Sequence, residues 1–278
     1  METEIEVVWL IDADPPSPLG GRAFYPEVVG GAPPDPVLMA SRFIALRSAA
    51  AEAGVSAVVT LHTSPRHRST FFSSPYIDEW RACLDAGIAL ALHPHEDQED
   101  GTNRYADAAH LARVVTEGMA AARAAELPIA AFRSGTFAWN AALPRLLQEA
   151  GVPLDLSPGP GLSMPEKNAV WPAEADTAPY AGTCVIAVPI GWSGRGSDLG
   201  RDYLFVERMD FDSLIAVWDA IRARVQRRAC KAVCNLLSHG FGLADPAWRS
   251  LSLRFLDHIR AHGGAVISAA EATHAHHP

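Results

Sequence analysis

The residues His93-Pro94-His95-Glu96-Asp97 place two imidazoles and two carboxylates within five positions. Imidazole and carboxylate are the donors that hold a divalent ion such as zinc. His93 and His95 stand two apart, so from one extended strand tip both can face the same ion. Asp97 reaches the same point if the chain turns after Pro94. Asp12 and Asp14 repeat the two-residue spacing near the N-terminus, with Ala13 turned away. Two carboxylates beside an ion can divide labour, one binding it and the other acting as a base. Water bound to such an ion is acidified toward neutral pH and becomes a nucleophile.

Three further residues complete the reactive set. His239, after Leu236-Leu237-Ser238, is placed to protonate a leaving amine. Arg133 can hold a carboxylate such as Asp12 or bind an anionic substrate group. His62 is a substrate contact or a structural hydrogen-bonding residue. A serine-nucleophile elbow of the Gly-x-Ser-x-Gly type is absent from the sequence.

All of these residues follow short apolar runs. Val7–Ile11 leads to Asp12, Ala57–Leu61 to His62 and Ile88–Leu92 to His93. Ile129–Phe132 leads to Arg133 and Ala232–Leu237 to His239, while a weak run occurs at 154–157 and further runs at 184–188 and 265–268. Between the runs, helical spacing predicts helices over 36–53, 76–86, 103–125, 141–150, 211–229 and 247–261. Gly54, Gly87 and Gly151 stand at left-handed C-cap positions. Strand and helix alternating without an antiparallel signal implies a parallel sheet with helical crossovers. Polar residues at five strand ends favour closure into a barrel, where the tips converge on one face. The glycine-rich dinucleotide fingerprint is missing after the first strand. The Pro- and Gly-rich stretches 15–36 and 158–183 carry no clear element and read as lids or binding loops.

The 278 residues suit one barrel-sized domain over 1–278. Apolar residues make up 49%, enough for a large core. The net charge of -9 argues against a nucleic-acid backbone or an anionic membrane surface as the main partner. The basic cluster Arg222–Lys231 reads as the solvated face of a helix, and the His-rich tail 273–278 as a frayed terminus. No apolar stretch is long enough to span a bilayer, and the acidic N-terminus is unlike a signal peptide, so a cytoplasmic location is expected. Cys83, Cys184, Cys230 and Cys234 form no Cys-x-x-Cys pair and read as reduced, mostly buried thiols.

The order Asp pair, His cluster, Arg, then Leu-x-His resembles the polysaccharide deacetylases, the NodB-homology enzymes of carbohydrate esterase family four. The family's pattern is Thr-Phe-Asp-Asp-Gly, His-[Ser/Thr]-x-x-His, Arg-x-Pro-[Tyr/Phe] and a late Leu-x-His. The resemblance covers roughly Val7 to Glu271, in order and strand-tip placement more than in letters. It implies a deformed (β/α)7 barrel and metal-dependent removal of an N-acetyl group from an amino sugar or related small molecule.

By position, Asp12 matches the base, Asp14 the metal-binding aspartate, His93 a metal histidine, Arg133 the arginine that orients the base, and His239 the acid. Asp97 stands where the second metal histidine is usual, which makes His95 the candidate second imidazole. Phe132-Arg133-Ser134-Gly135-Thr136-Phe137 replaces Arg-x-Pro. Gly191-Trp192-Ser193 is the candidate for the family's Asp-and-Trp motif, so Trp192 joins His62 as a candidate substrate contact. The implied cofactor is a divalent metal, with zinc first, and a homo-oligomer is compatible with this reading. Two alternatives stand beside it. One is a different metal-dependent amidohydrolase acting on a cyclic amide or similar molecule. The other is a sugar-binding barrel without turnover.

Overall fold

The computed structural model describes residues 5–13, 36–95, 104–173, 177–228 and 231–274. Five parallel strands come first: β1 (Ile5–Asp12), β2 (Val58–His62), β3 (Ala89–His93), β4 (Ala131–Phe132) and β5 (Leu154–Asp155). A small antiparallel pair, β6 (Ser163–Met164) with β7 (Ala169–Val170), and β8 (Ala178–Pro179) precede β9 (Ile186–Ala187), β10 (Ala232–His239) and β11 (Gly264–Ile267). The main sheet runs β10-β1-β2-β3-β4-β5-β9-β8. The lower half of β1 also pairs with β11, and its upper half with β2.

The sheet curls until β9 meets β10. Ile190 bridges to Asn235 in parallel, with Asn235 N–H donating to Pro189 O (2.8 Å) and Gly191 N–H to Asn235 O (2.8 Å). The Asn235 side-chain amide adds bonds to Leu156 O (3.3 Å) and Val188 O (2.9 Å). Above this point residues 203–205 fill the gap, with Phe205 bridged to Leu237. The result is the deformed (β/α)7-type barrel that the family resemblance implied.

Helices cover the outside: α1 (Pro36–Ala53), α2 (Pro65–Phe71), α3 (Tyr76–Asp85), α4 (Ala108–Ala124), α5 (Leu143–Ala150), α6 (Phe211–Arg228), α7 (Gly240–Leu243), α8 (Pro246–Ala261) and α9 (Ala269–His274). Asp107 and Asp245 start α4 and α8 by accepting backbone N–H groups of the first turn. Gly151 ends α5 in the left-handed conformation, φ 78°. Among the described residues no helix is long and apolar enough to cross a membrane.

Strand alternation separates two environments. Val7, Trp9, Ile11, Val59, Leu61, Leu90 and Leu236 pack outward beneath the helices. Val8, Leu10, Val58, Ala91, Ala131, Val233 and Leu237 fill the barrel. Asp12, His62, His93, Arg133 and His239 continue the inward series at the strand tips, each two residues beyond an inward-facing position.

Two expectations need correction. The stretch 158–183 is not without elements, since it holds the β6–β7 pair around a 3-10 turn (Pro165–Lys167) and the antiparallel strand β8. Strands of two residues are too short to leave an alternation pattern. The helices α2, α7 and α9 were also unmarked, because each has fewer than eight residues. Of the stretch 15–36, only Pro36, the first residue of α1, lies among the described residues.

The Asn235 seam is testable. Asn235→Ala leaves the Leu156 and Val188 carbonyls without their side-chain donor in a buried site. Urea unfolding should show a loss of about 2–4 kcal/mol. A loss below about 1 kcal/mol would remove Asn235 from this role.

Candidate active site

The tips of β1 and β10 are adjacent, with Asp12 in register with His239. The tips of β2 and β3 likewise pair His62 with His93. Arg133 follows β4, and its Nε lies 3.7 Å from Asp12 Oδ2, with both side chains about 95% buried or more. Its Cζ stands 4.1 Å from the Phe137 ring centroid, a cation–π contact in a desolvated setting. Phe137 reaches that position through two left-handed residues, Thr136 (φ 51°) and Phe137 (φ 60°). Each costs on the order of 1–3 kcal/mol outside glycine. The strained turn is held by Trp171 Nε1–H donating to Phe137 O (2.7 Å) and Ala138 N–H to Gly135 O (3.0 Å).

Three bonds fasten the β4 tip to the His93-Pro94-His95 segment. Arg133 N–H donates to Leu92 O (2.9 Å), Gly135 N–H to Pro94 O (2.7 Å), and His93 Nδ1 bonds to Arg133 O at 2.7 Å. The last contact commits Nδ1 of His93 to a backbone carbonyl, an arrangement shared with histidines that bind a metal through Nε2. His95 is fixed by its N–H donating to Ser64 Oγ (2.8 Å) and by Tyr105 O–H donating to His95 O (3.2 Å). A Cβ on Gly135 would lie 2.6 Å from His95 Cα. The glycine in Arg133-Ser134-Gly135 is what lets the two tips close together.

The rings of His93 and His95 have centroids 5.4 Å apart, and His62 stands 6.1 and 5.9 Å from them, stacked on Phe71. The chain thus gathers three buried imidazoles on neighbouring tips. Among the described residues, no three His, Cys, Asp or Glu side chains form a metal-holding set. Asp14, Glu96 and Asp97 lie outside the described residues.

His239 has a partner that the sequence reading missed. Glu207, on the 3-10 turn Val206–Arg208, accepts the His239 backbone N–H at Oε1 (2.6 Å), and Oε2 lies 3.3 Å from Nδ1. Both side chains are buried. Phe205 stacks on the imidazole at 5.4 Å. Gly242 makes room, since a Cβ there would overlap Glu207 Oε1. The only signal for Glu207 was a lone acid in the run Tyr203-Leu204-Phe205-Val206, one position past its apolar end.

A second buried carboxyl group lies behind Arg133. Asp155 accepts Ser157 N–H (2.9 Å) and Tyr180 O–H (2.6 Å), and Ser157 Oγ accepts Ser134 N–H. Burial raises the Asp155 carboxyl above its ordinary value, against the bonds from Ser157 and Tyr180 and the field of Arg133. Burial also pushes the Cys83 thiol up to about 11 and the Cys234 thiol up to about 12. Both stay protonated at neutral pH, as expected for inert cysteines. Cys184 is exposed, and Cys230 lies outside the described residues.

Trp192 is not brought to this mouth. Its ring stacks on Tyr203 at 6.5 Å, its Nε1–H donates to Gly196 O (3.1 Å), and Arg224 Cζ is 5.7 Å from its centroid. It lines a separate cavity of about 230 Å³ against Ala232–Cys234 and α6, which none of Asp12, His93, Arg133 or His239 borders. The strand rise from Val233 to His239 is about 20 Å.

No protein-family model matches the sequence, and no curated protein matches it. Solved structures do resemble it. A candidate polysaccharide deacetylase from Mycobacterium smegmatis aligns with TM-score 0.65 and 15% identity, over 99% of this chain and 91% of that one. Puue allantoinase aligns with TM-score 0.62 and 14% identity, over 99% and 92%. A carbohydrate esterase family four pseudoenzyme from Bacillus anthracis aligns with TM-score 0.51 and 7% identity, over 98% and 66%. The chain therefore has the fold of the polysaccharide deacetylases.

The close packing of the two tips gives the first prediction for the site. Gly135→Ala must push the backbone at His95, because the obstructing atom is a Cα and cannot rotate away. Urea unfolding should show a loss of about 1–3 kcal/mol. A variant within about 0.5 kcal/mol of the parent would mean that the approach is not tight.

Proposed function

We propose that this chain, built on the polysaccharide-deacetylase fold, is a divergent metal-dependent hydrolase that cleaves the acetamido C–N bond of an N-acetylated amino sugar or related small molecule. One observation carries the reading. The buried Asp12–Arg133 pair and the His239–Glu207 pair stand on adjacent strand tips at the same barrel mouth, beside two histidines with donors suited to zinc.

The donor set fits a divalent ion. His93 and His95 would hold it together with Asp14, and the Nδ1 bond of His93 to a backbone carbonyl supports that role. When bound, the ion supplies Lewis acidity for the amide carbonyl and lowers the pKa of water. Asp12 takes the proton of the attacking water. Arg133 keeps Asp12 aimed, at the cost of burying two charges that must stay together. His239 gives a proton to the leaving nitrogen through Nε2, while Glu207 holds Nδ1–H and so fixes the tautomer and ring orientation. His62 borders the imidazole group and contacts the substrate or steadies that group.

A second reading, hydrolysis of a cyclic amide, rests on the likeness to an allantoinase, because the same proton transfers open a ring. A third, binding without turnover, rests on the altered His and Arg motifs and on the likeness to a pseudoenzyme. A small or sugar substrate and a cytoplasmic location are part of the proposal.

Asp12→Asn should retain the parent's metal content yet lose turnover of an N-acetylated sugar by a factor on the order of 10² or more. Acetate release and metal analysis test it together. Parent protein with less than about a tenth of an equivalent of metal after exposure to zinc would contradict the metal assignment. Glu207→Gln should lower kcat on the order of 10²-fold, because the amide presents N–H to Nδ1 and favours the wrong tautomer. An unchanged kcat would separate Glu207 from proton donation.

A further inference from the structure

Asp155 is a fully buried carboxyl group with no part in the chemistry above. Strands β4 and β5 pair at one register position, Phe132 with Asp155, so their ladder ends just short of the Arg133 tip. Side chains carry the contact further. Asp155 Oδ1 accepts Ser157 N–H (2.9 Å), Oδ2 accepts Tyr180 O–H (2.6 Å), and the Ser157 side chain bonds the same carboxyl group. The oxygen of that Ser157 hydroxyl in turn accepts Ser134 N–H (2.8 Å).

The peptide between Arg133 and Ser134 completes a chain of bonds. Its N–H is the one held by Ser157, and its C=O accepts from His93 Nδ1 at 2.7 Å. A carbonyl cannot donate, so the hydrogen in that contact belongs to Nδ1. The Ser157 hydroxyl, one rigid peptide plane and the Nδ1–H bond therefore join Asp155 to the His93 ring. The next carbonyl, Ser134 O, receives Arg133 Nη1 (3.0 Å), so the same tip steadies the guanidinium beside Asp12. Asp155, Ser157, Ser134, Arg133 and His93 are each at most 2% exposed. At that burial no solvent stands in for a lost bond.

We infer that Asp155 is a positioning residue for the candidate metal site, acting through Ser157 and the Arg133–Ser134 peptide to fix the ring of His93. The consequence for metal rests on the reading of His93 as a ligand, whereas the chain of hydrogen bonds does not. A peptide group is planar, so holding its N–H also aims its C=O. An aimed carbonyl fixes the tautomer and rotation of the imidazole that donates to it, and with them the direction of Nε2. A hydrogen bond at the N–H end of a peptide also strengthens the acceptor at its C=O end. Tyr180 lies on the far side of the carboxyl group, outside this chain, which makes it the natural control.

The test is zinc affinity by competition with a chelator, alongside the Tm of the metal-free protein. Ser157→Ala removes one hydroxyl with little change of volume and should weaken zinc binding by about tenfold or more, the scale for partners that orient a ligand. Asp155→Ala should weaken it by a similar factor. Asp155→Asn should stay closer to the parent, because an amide oxygen still accepts from Ser157. Tyr180→Phe should lower the Tm yet leave zinc affinity within about twofold of the parent's. A Ser157→Ala variant within about twofold of the parent overturns the inference. So does a Tyr180→Phe variant weakened as much as Ser157→Ala, because the effect is then a general loosening of the fold.

If the parent takes up no zinc, the metal reading fails and the metal-free protein decides the inference. The Nδ1–H proton of His93, identified in NMR spectra by its loss in His93→Gln, should be protected from solvent exchange in the parent. Its exchange should speed up by about tenfold or more in Ser157→Ala and stay unchanged in Tyr180→Phe. Equal exchange in the parent and Ser157→Ala overturns the inference.

Discussion

The arrangement of this barrel's mouth depends on the attraction between two buried charges, Arg133 and Asp12. Each is almost wholly removed from water, and an isolated ion in such a place would cost several kcal/mol. The charges must therefore be delivered to each other with little freedom. Arg133 comes from a tip held to its neighbour by backbone bonds. Phe137, carried by a strained turn, covers its guanidinium. Asp12 comes from the longest parallel pairing in the sheet, eight residues in register with β10. The same register sets His239 beside Asp12, so one ladder aligns the two groups proposed to move protons.

Much of this geometry was legible in the sequence, because strands alternate. A polar residue two positions after an inward apolar one must face the barrel interior. Ending an apolar run marked Asp12, His62, His93, Arg133 and His239 as strand tips, and barrel closure brings such tips to one mouth. Six helices were also legible, because each is long enough to show a period and has a cap or glycine stop. What was not legible is long-range. Glu207 meets His239 across 32 residues through an irregular segment, and no local pattern marks that approach. Trp192 was a candidate through the family's Asp-and-Trp motif, past the run 184–188. That run crosses to β10 at Asn235, and the tryptophan turns to α6 instead. Gly135 was read as a lost motif letter, whereas its missing side chain is what admits His95.

Similar backbones at 15% identity or less carry deacetylases, an allantoinase and a pseudoenzyme. The fold alone therefore does not select among outcomes, and the choice lies with side chains at the strand tips. In this chain the Asp12–Arg133 and His239–Glu207 pairs are both present and both buried.

The barrel is closed by a single bridge at Asn235 and by the inserted residues 203–205, not by a full ladder. The segment that plugs this gap continues directly into Glu207. Closure of the cylinder and support of His239 are therefore one mechanical event, while the Asp12–Arg133 pair lies on the continuous side of the sheet. Local breathing at the gap would unhook His239 from Glu207 first and spare Asp12. Loss of the His239–Glu207 contact on warming would then precede loss of secondary structure, while Asp12 and Arg133 stay paired.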